Sequence, residues 1–124
     1  MQIQLQIENG RRIAAIEAAG REKVLTDVDS ALDLMMQVRC QADADRIAIS
    51  KKAVHEDFFI LSTGLAGAVL EKYIQYGVKL AIYGDYSRYT SKPLHDFISE
   101  SNRGRNFFFV ADCGAAVQQL AQAK

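Results

Sequence analysis

Three short apolar runs, at residues 46–50, 78–83 and 106–111, are each preceded by a segment with helical periodicity. Apolar runs this short, without alternation, read as strands covered on both faces. Strands separated by helices run parallel, because a crossover long enough to contain a helix returns the chain in the same direction and with a fixed hand. The first helical segment begins at Val28, with Thr26 or Asp27 as its cap. It places Val28, Ala31, Leu32, Met35, Met36 and Val38 on an apolar face and ends near Gln41. A second helix is expected over 61–77, capped by Ser62 and Thr63, with Leu65, Val69, Leu70, Tyr73 and Ile74 inward and Gly77 as the left-handed stop. A third runs over 93–102, where Pro93 suits the first turn and Gly104 ends the element. A closing helix from Cys113 or Gly114 to Ala123 turns Val117, Leu120 and Ala121 inward.

The amino-terminal region follows a different period. Residues 2–8 alternate polar and apolar, with Ile3, Leu5 and Ile7 on one face, and Asn9-Gly10 is a strong hairpin signal. Residues 11–18 return as a second strand. The expected order is ββαβαβαβα: one α/β domain over residues 1–124, with a mostly parallel sheet, an antiparallel N-terminal hairpin and helices packed on the sheet. A length of 124 residues, 49% hydrophobic and 24% charged, suits one globular domain. Fifteen Lys and Arg balance fifteen Asp and Glu, so no net field draws the chain to nucleic acid or to an anionic membrane. The first residues lack the basic head and continuous apolar stretch of a signal peptide. No apolar run approaches the roughly 20 residues that span a bilayer. A cytoplasmic location and no membrane partner are therefore expected. Cys40 and Cys113 lie in no CxxC or Cys/His cluster and are expected to be small buried hydrophobes rather than ligands.

The catalytic inventory is sparse. The chain has no GxSxG elbow, P-loop, GxGxxG or HExxH pattern, and no cofactor, metal or catalytic residue is expected. His95 near a helix start reads as a surface residue. His55 follows a strand end, where parallel sheets place their sites. Three loops should converge at that edge: 50–57, 84–92 and 112–114. The middle loop is richest, with Asp85, Tyr86, Arg88, Tyr89 and Lys92 among several hydroxyls, and exposed aromatics beside arginine suit recognition. Its plainer reading is a solvated loop whose hydroxyls cap the next helix. Ser62 and Thr63 at a helix start suit capping, or the holding of an anion by free amides.

The segments Glu56-Asp57-Phe58-Phe59, Thr63-Gly64-Leu65-Ala66-Gly67 and Val78-Lys79-Leu80-Ala81-Ile82-Tyr83-Gly84-Asp85-Tyr86-Ser87-Arg88-Tyr89-Thr90-Ser91-Lys92 resemble a bacterial family known as domain of unknown function 4180. Leu94-His95-Asp96-Phe97-Ile98-Ser99-Glu100-Ser101-Asn102 and Phe108-Phe109-Val110 extend the resemblance over nearly the whole chain. More distantly, the element order and Leu61-Ser62-Thr63-Gly64-Leu65 are similar to STAS domains. There an Asp-Ser-Ser-Gly-Leu pattern opens a helix, and its first serine is phosphorylated by a partner kinase that is also an anti-sigma factor. That resemblance implies Ser62 as phosphoacceptor with Thr63 beside it, although Leu61 replaces the acidic residue of the pattern.

Two functions are expected from these readings. The first is a non-enzymatic, STAS-like regulatory module that binds a protein partner through Ser62, Thr63, Asp85, Tyr86, Arg88, Tyr89 and Lys92. The alternative is a binder of, or enzyme acting on, an anionic metabolite or nucleotide. In it the cleft at the strand ends would use Arg88 or Lys92 as counter-charge and Asp85 or His55 as base. The chain is expected to be a monomer or weak homodimer, with the edge of the N-terminal hairpin as one route to pairing.

Overall fold

The computed structural model describes residues 1–124. Asn9 and Gly10 adopt positive φ of 53° and 71°, the backbone of a turn whose twist matches the strands it joins. β1 (Gln2–Glu8) therefore folds back on β2 (Arg11–Glu17) in unbroken antiparallel register, from Glu8 opposite Arg11 to Gln2 opposite Glu17. β3 (Arg46–Ser50), β4 (Lys79–Tyr83) and β5 (Phe107–Val110) then add parallel to β2, in the order β1-β2-β3-β4-β5. The four helices are α1 (Val28–Ala42), α2 (Leu65–Gln75), α3 (Lys92–Arg103) and α4 (Cys113–Gln122). The molecule is a single-domain α/β fold with a mixed sheet.

Strand order follows chain order, so every crossover steps the same way. Crossovers of one hand then place α1, α2 and α3 on a single face of the sheet. Ile16, Ile47, Ile49, Leu80, Ile82, Phe107 and Phe109 meet those helices in the larger core, together with Phe58 and Phe59. α4 follows the last strand and covers the opposite face alone. Ile13, Ala48, Ala81 and Phe108 pack there against Ala116, Val117, Leu120 and Ala121. The alanines of β3 and β4 leave room for the helix to lie close.

Helices that return antiparallel to the strands bring their carboxyl ends to the edge where the parallel strands begin. Orphaned carbonyls and a partial negative charge collect at that edge, and arginines meet them. Arg11 and Arg46 open β2 and β3, and their guanidinium groups donate to Leu120, Ala121 and Ala123 carbonyls at the end of α4. Arg12 donates to Ala42 at 2.9 Å and to Asp43 at 3.1 Å after α1, and Arg39 reaches the Tyr76 carbonyl after α2. These cations hold helix ends, and the opposite edge of the sheet carries the cleft.

Local chemistry sets the helix bounds. Asp27 Oδ1 accepts from the Ser30 amide at 2.7 Å, and Ser30 Oγ accepts from the Asp27 amide at 3.0 Å. Asp27 rather than Thr26 is thus the cap of α1. Gly77 at φ 71° ends α2 as expected. Its amide donates to Ile74, and that of Val78 donates to Tyr73 at 2.8 Å.

Several expectations are corrected. The α2 helix begins at Leu65, because Leu61–Thr63 forms a separate 3₁₀ turn closed by Gly64 at φ 77°. Gly64 therefore occupies the cap position, and Ser62 caps nothing. Met36 and Ile74 are exposed, at 61% and 57%, where Leu34 and Ala66 face the core instead. Cys40 is exposed and Cys113 half-buried, so neither is a fully buried hydrophobe; both are free thiols. In β1 the apolar face is only partly covered, with Ile7 60% exposed.

Candidate ligand-binding cleft

Parallel register brings the strand ends level: Ile16 of β2 lies beside Ile49, Ser50 beside Tyr83, and Tyr83 beside Val110. The loops that leave those ends enclose a cleft of about 770 Å³. Gly20, Arg21 and Lys23 come from the loop after β2, and Ser50, Lys51, Lys52 and Glu56 from the segment after β3. Tyr83, Gly84, Asp85 and Arg88 follow β4, and Ala111, Asp112 and Cys113 follow β5.

The walls are tied together. Leu25 and Val54 form a parallel bridge, both Val24 and Leu25 amides donate to the Ala53 carbonyl, and His55 N–H returns to Leu25. Lys23 Nζ donates to the Lys52 carbonyl at 2.8 Å across the same seam. Gly84 permits a further close approach, since a Cβ there would lie 2.8 Å from Lys51 Cβ. That approach holds Lys51 with its ammonium 4.7 Å from the centre of the Tyr89 ring and 5.4 Å from that of Phe59, a favourable placement for a cation. The rings belong to a continuous aromatic group: Phe59 stacks on Tyr89 at 5.5 Å, and Tyr86 packs between Phe59 and Phe109.

Charge in the cleft is uneven. Arg21, Lys23, Lys51, Lys52 and Arg88 face Glu56, Asp85 and Asp112, and all three carboxylates are already engaged. Glu56 accepts from Tyr89 Oη at 2.8 Å and pairs with Arg88 at 3.3 Å. Asp112 caps α4 by accepting from the Ala115 amide at 2.8 Å. Asp85 Oδ1 accepts from the Ser87 amide at 2.9 Å. Hydrogen bonds from the Ser87 side chain and amide hold its carboxyl below the ordinary range, aided by Lys51 and Arg88. Burial, with Cys113 and Glu17 nearby, pushes the Tyr83 hydroxyl up, so it stays protonated at neutral pH. No group of three His, Cys, Asp or Glu side chains converges anywhere in the chain.

The residues singled out in sequence do not form one face. Arg88 and Asp85 line the cleft, whereas Ser62 shares a smaller depression of about 440 Å³ with Arg88, Tyr89, Thr90 and Ser91. Thr63 lines neither; its hydroxyl donates to the Asp57 and Ile60 carbonyls at 2.7 and 2.9 Å. Tyr86 is half-buried, with Oη donating to the Ile82 carbonyl at 2.7 Å and its ring packed against the larger core. Lys92 points along α3 to Asp96 at 2.7 Å. His55 Nδ1 accepts from the Asp57 amide at 3.0 Å, and His95 donates to the Tyr89 carbonyl; both brace local turns. Arg21 and Lys23 lie outside the expected set. Their signal is the parallel pairing of β2, which turns the loop after the hairpin toward the same edge.

No helix is long and apolar enough to cross a membrane. No curated protein and no solved structure matches the chain. A family model does, over residues 8–120. That span takes in every strand except most of β1, every helix but the end of α4, and all the loops of the cleft, and on that match the chain belongs to the family described as domain of unknown function (DUF4180).

Proposed function

We propose that the chain is a binding module whose strand-end cleft receives an anionic small molecule, of the size of a nucleotide or a phosphorylated metabolite. The observation that carries this reading is the unequal commitment of charge. Three carboxylates are bonded within the protein, while Arg21 and Lys52 have no carboxylate partner. An anion would supply the missing partner, and a volume of about 770 Å³ accommodates a small ligand. Asp85 is a poor base at neutral pH because its conjugate acid is strong, which favours binding over proton abstraction.

The test is a titration with inorganic pyrophosphate and ATP, followed by melting temperature and amide chemical shifts. Binding should raise Tm by mass action, shift amides around 20–23 and 50–53, and weaken about tenfold or more in Arg21→Ala/Lys52→Ala. Flat titrations, or binding undiminished in that variant, would show that the cleft does not hold anions.

A second reading, a regulatory module of STAS-like kind, is favoured by the state of Ser62. Its side chain is exposed and free of capping duty, beside Arg88 and Tyr89. A phosphate there would add nearly two negative charges at the rim. Under this reading Ser62 is phosphorylated in cells, and Ser62→Asp changes the proteins retained by the chain on an affinity support. Unmodified Ser62 in phosphopeptide maps and identical retention by both forms would remove it.

A further inference from the structure

The outer strand β1 is bonded on one side only, because the sheet ends there. In a two-residue hairpin the residues flanking the turn form a hydrogen-bonded pair, here Glu8 and Arg11. Alternation then turns the backbone groups of Gln2, Gln4, Gln6 and Glu8 toward β2. Those of Ile3, Leu5 and Ile7 point outward, unpaired. The same three residues carry the partly covered apolar stripe: Leu5 is 39% and Ile7 60% exposed, and Ile3 is partly buried against the larger core.

Edge strands are normally blunted by charge, proline or a bulge. β1 has no charge from Gln2 to Ile7, no proline and no break in its register over seven residues. Its sequence is also symmetric about Leu5: Gln-Ile-Gln-Leu-Gln-Ile-Glu reads the same in both directions except for the last residue. We propose that β1 is a self-association edge, pairing antiparallel with β1 of a second copy about a two-fold axis at Leu5. In that register Leu5 lies opposite Leu5, Ile3 opposite Ile7, and Gln4 opposite Gln6, while Glu8 meets Gln2 rather than another carboxylate. The outward amides and carbonyls of Ile3, Leu5 and Ile7 become the bonded pairs. A slip of one residue would set glutamine against the apolar stripe and leave the outward groups without partners. An isologous contact of this kind closes at two chains.

The occupant is a second copy because a foreign strand would need no such symmetry in β1. Two paired strands bury less than the roughly 1,200 Å² of a stable complex, so the dimer is a weak one, dissociating in the micromolar range. The clefts lie at opposite ends of the resulting sheet, and pairing is independent of what they hold.

Sedimentation equilibrium from about 10 µM to about 1 mM should show a monomer–dimer equilibrium. Leu5→Lys and Ile7→Lys, at exposed sites, should each weaken it about tenfold or more. Leu5→Pro removes an outward amide while sparing the bonds to β2, and should abolish pairing. Hydrogen exchange gives a readout on the unaltered chain: the Ile3, Leu5 and Ile7 amides should gain protection as concentration rises. A chain that stays monomeric to about 1 mM, or a dimer that persists in all three variants or leaves those amides unprotected, overturns the proposal.

Discussion

Ser62 and Thr63 are neighbours with the same functional group and opposite duties. Thr63 Oγ1 closes the turn that precedes α2: it donates to the Asp57 and Ile60 carbonyls and accepts from the Leu65 amide at 3.3 Å. The Ser62 hydroxyl stands in solvent and caps no helix. Removing a hydroxyl that satisfies backbone groups costs about 1 kcal/mol, whereas an uncommitted surface hydroxyl contributes within about 0.5 kcal/mol. Thr63→Ala should therefore lower the urea midpoint, and Ser62→Ala should leave it in place. Equal losses in the two variants would mean that Ser62 caps α2 after all. A similar logic governs Tyr73, whose buried hydroxyl donates to the Ala31 carbonyl at 2.7 Å and joins α2 to α1. Burial raises its ionisation well above that of a free phenol. The stability this contributes is complete below the phenol's unfolded value near pH 10 and fades as pH rises above it.

Elements differ in how plainly the chain announces them. The strand over Arg46–Ser50 stands out as a β-branched run bounded by polar residues, and the hairpin by strict alternation around Asn9-Gly10. Both signals are local, and both elements have the expected bounds at β1 and β3. α2 was less legible because its entry depends on a conformation rather than a pattern. Leu61 fits the helical period of Leu65, but Gly64 in the left-handed region breaks the helix between them. The apolar face of α1 departs from the expected one at Met36 for another reason. Ala31, Leu34, Met35, Val38 and Ala42 form the buried stripe, which is turned about the helix axis from the expected one, and Met36 lies outside it. The cleft was visible as a place, because parallel strands must end together, but not as a chemistry. Which cations stay free depends on hydrogen bonds such as Ser87 to Asp85 and Tyr89 to Glu56, and these join residues that no spacing rule relates.

At the scale of the whole molecule, the two faces of the sheet are unequally protected. Three helices and the aromatic group cover one face, and α4 alone covers the other. A helix of ten residues has little stability of its own, so α4 is held by what it buries and by the arginines at its end. Leu120 is fully buried at the centre of this smaller core, and Leu120→Ala should cost about 2–5 kcal/mol. Detaching α4 would expose Ile13, Ala48, Ala81 and Phe108, residues of β2, β3, β4 and β5, and would release Arg11 and Arg46 from the carbonyls they meet. Peeling this helix away therefore removes one whole side of the sheet. Native-state hydrogen exchange should show amides in the middle of α4 opening with the same free energy as those of Ile47 and Ile49 in β3, and Leu120→Ala should lower both together. If α4 opened at a much lower free energy while β3 kept its protection, the larger core alone would suffice to hold the sheet, and the C-terminal helix would be a separable cover.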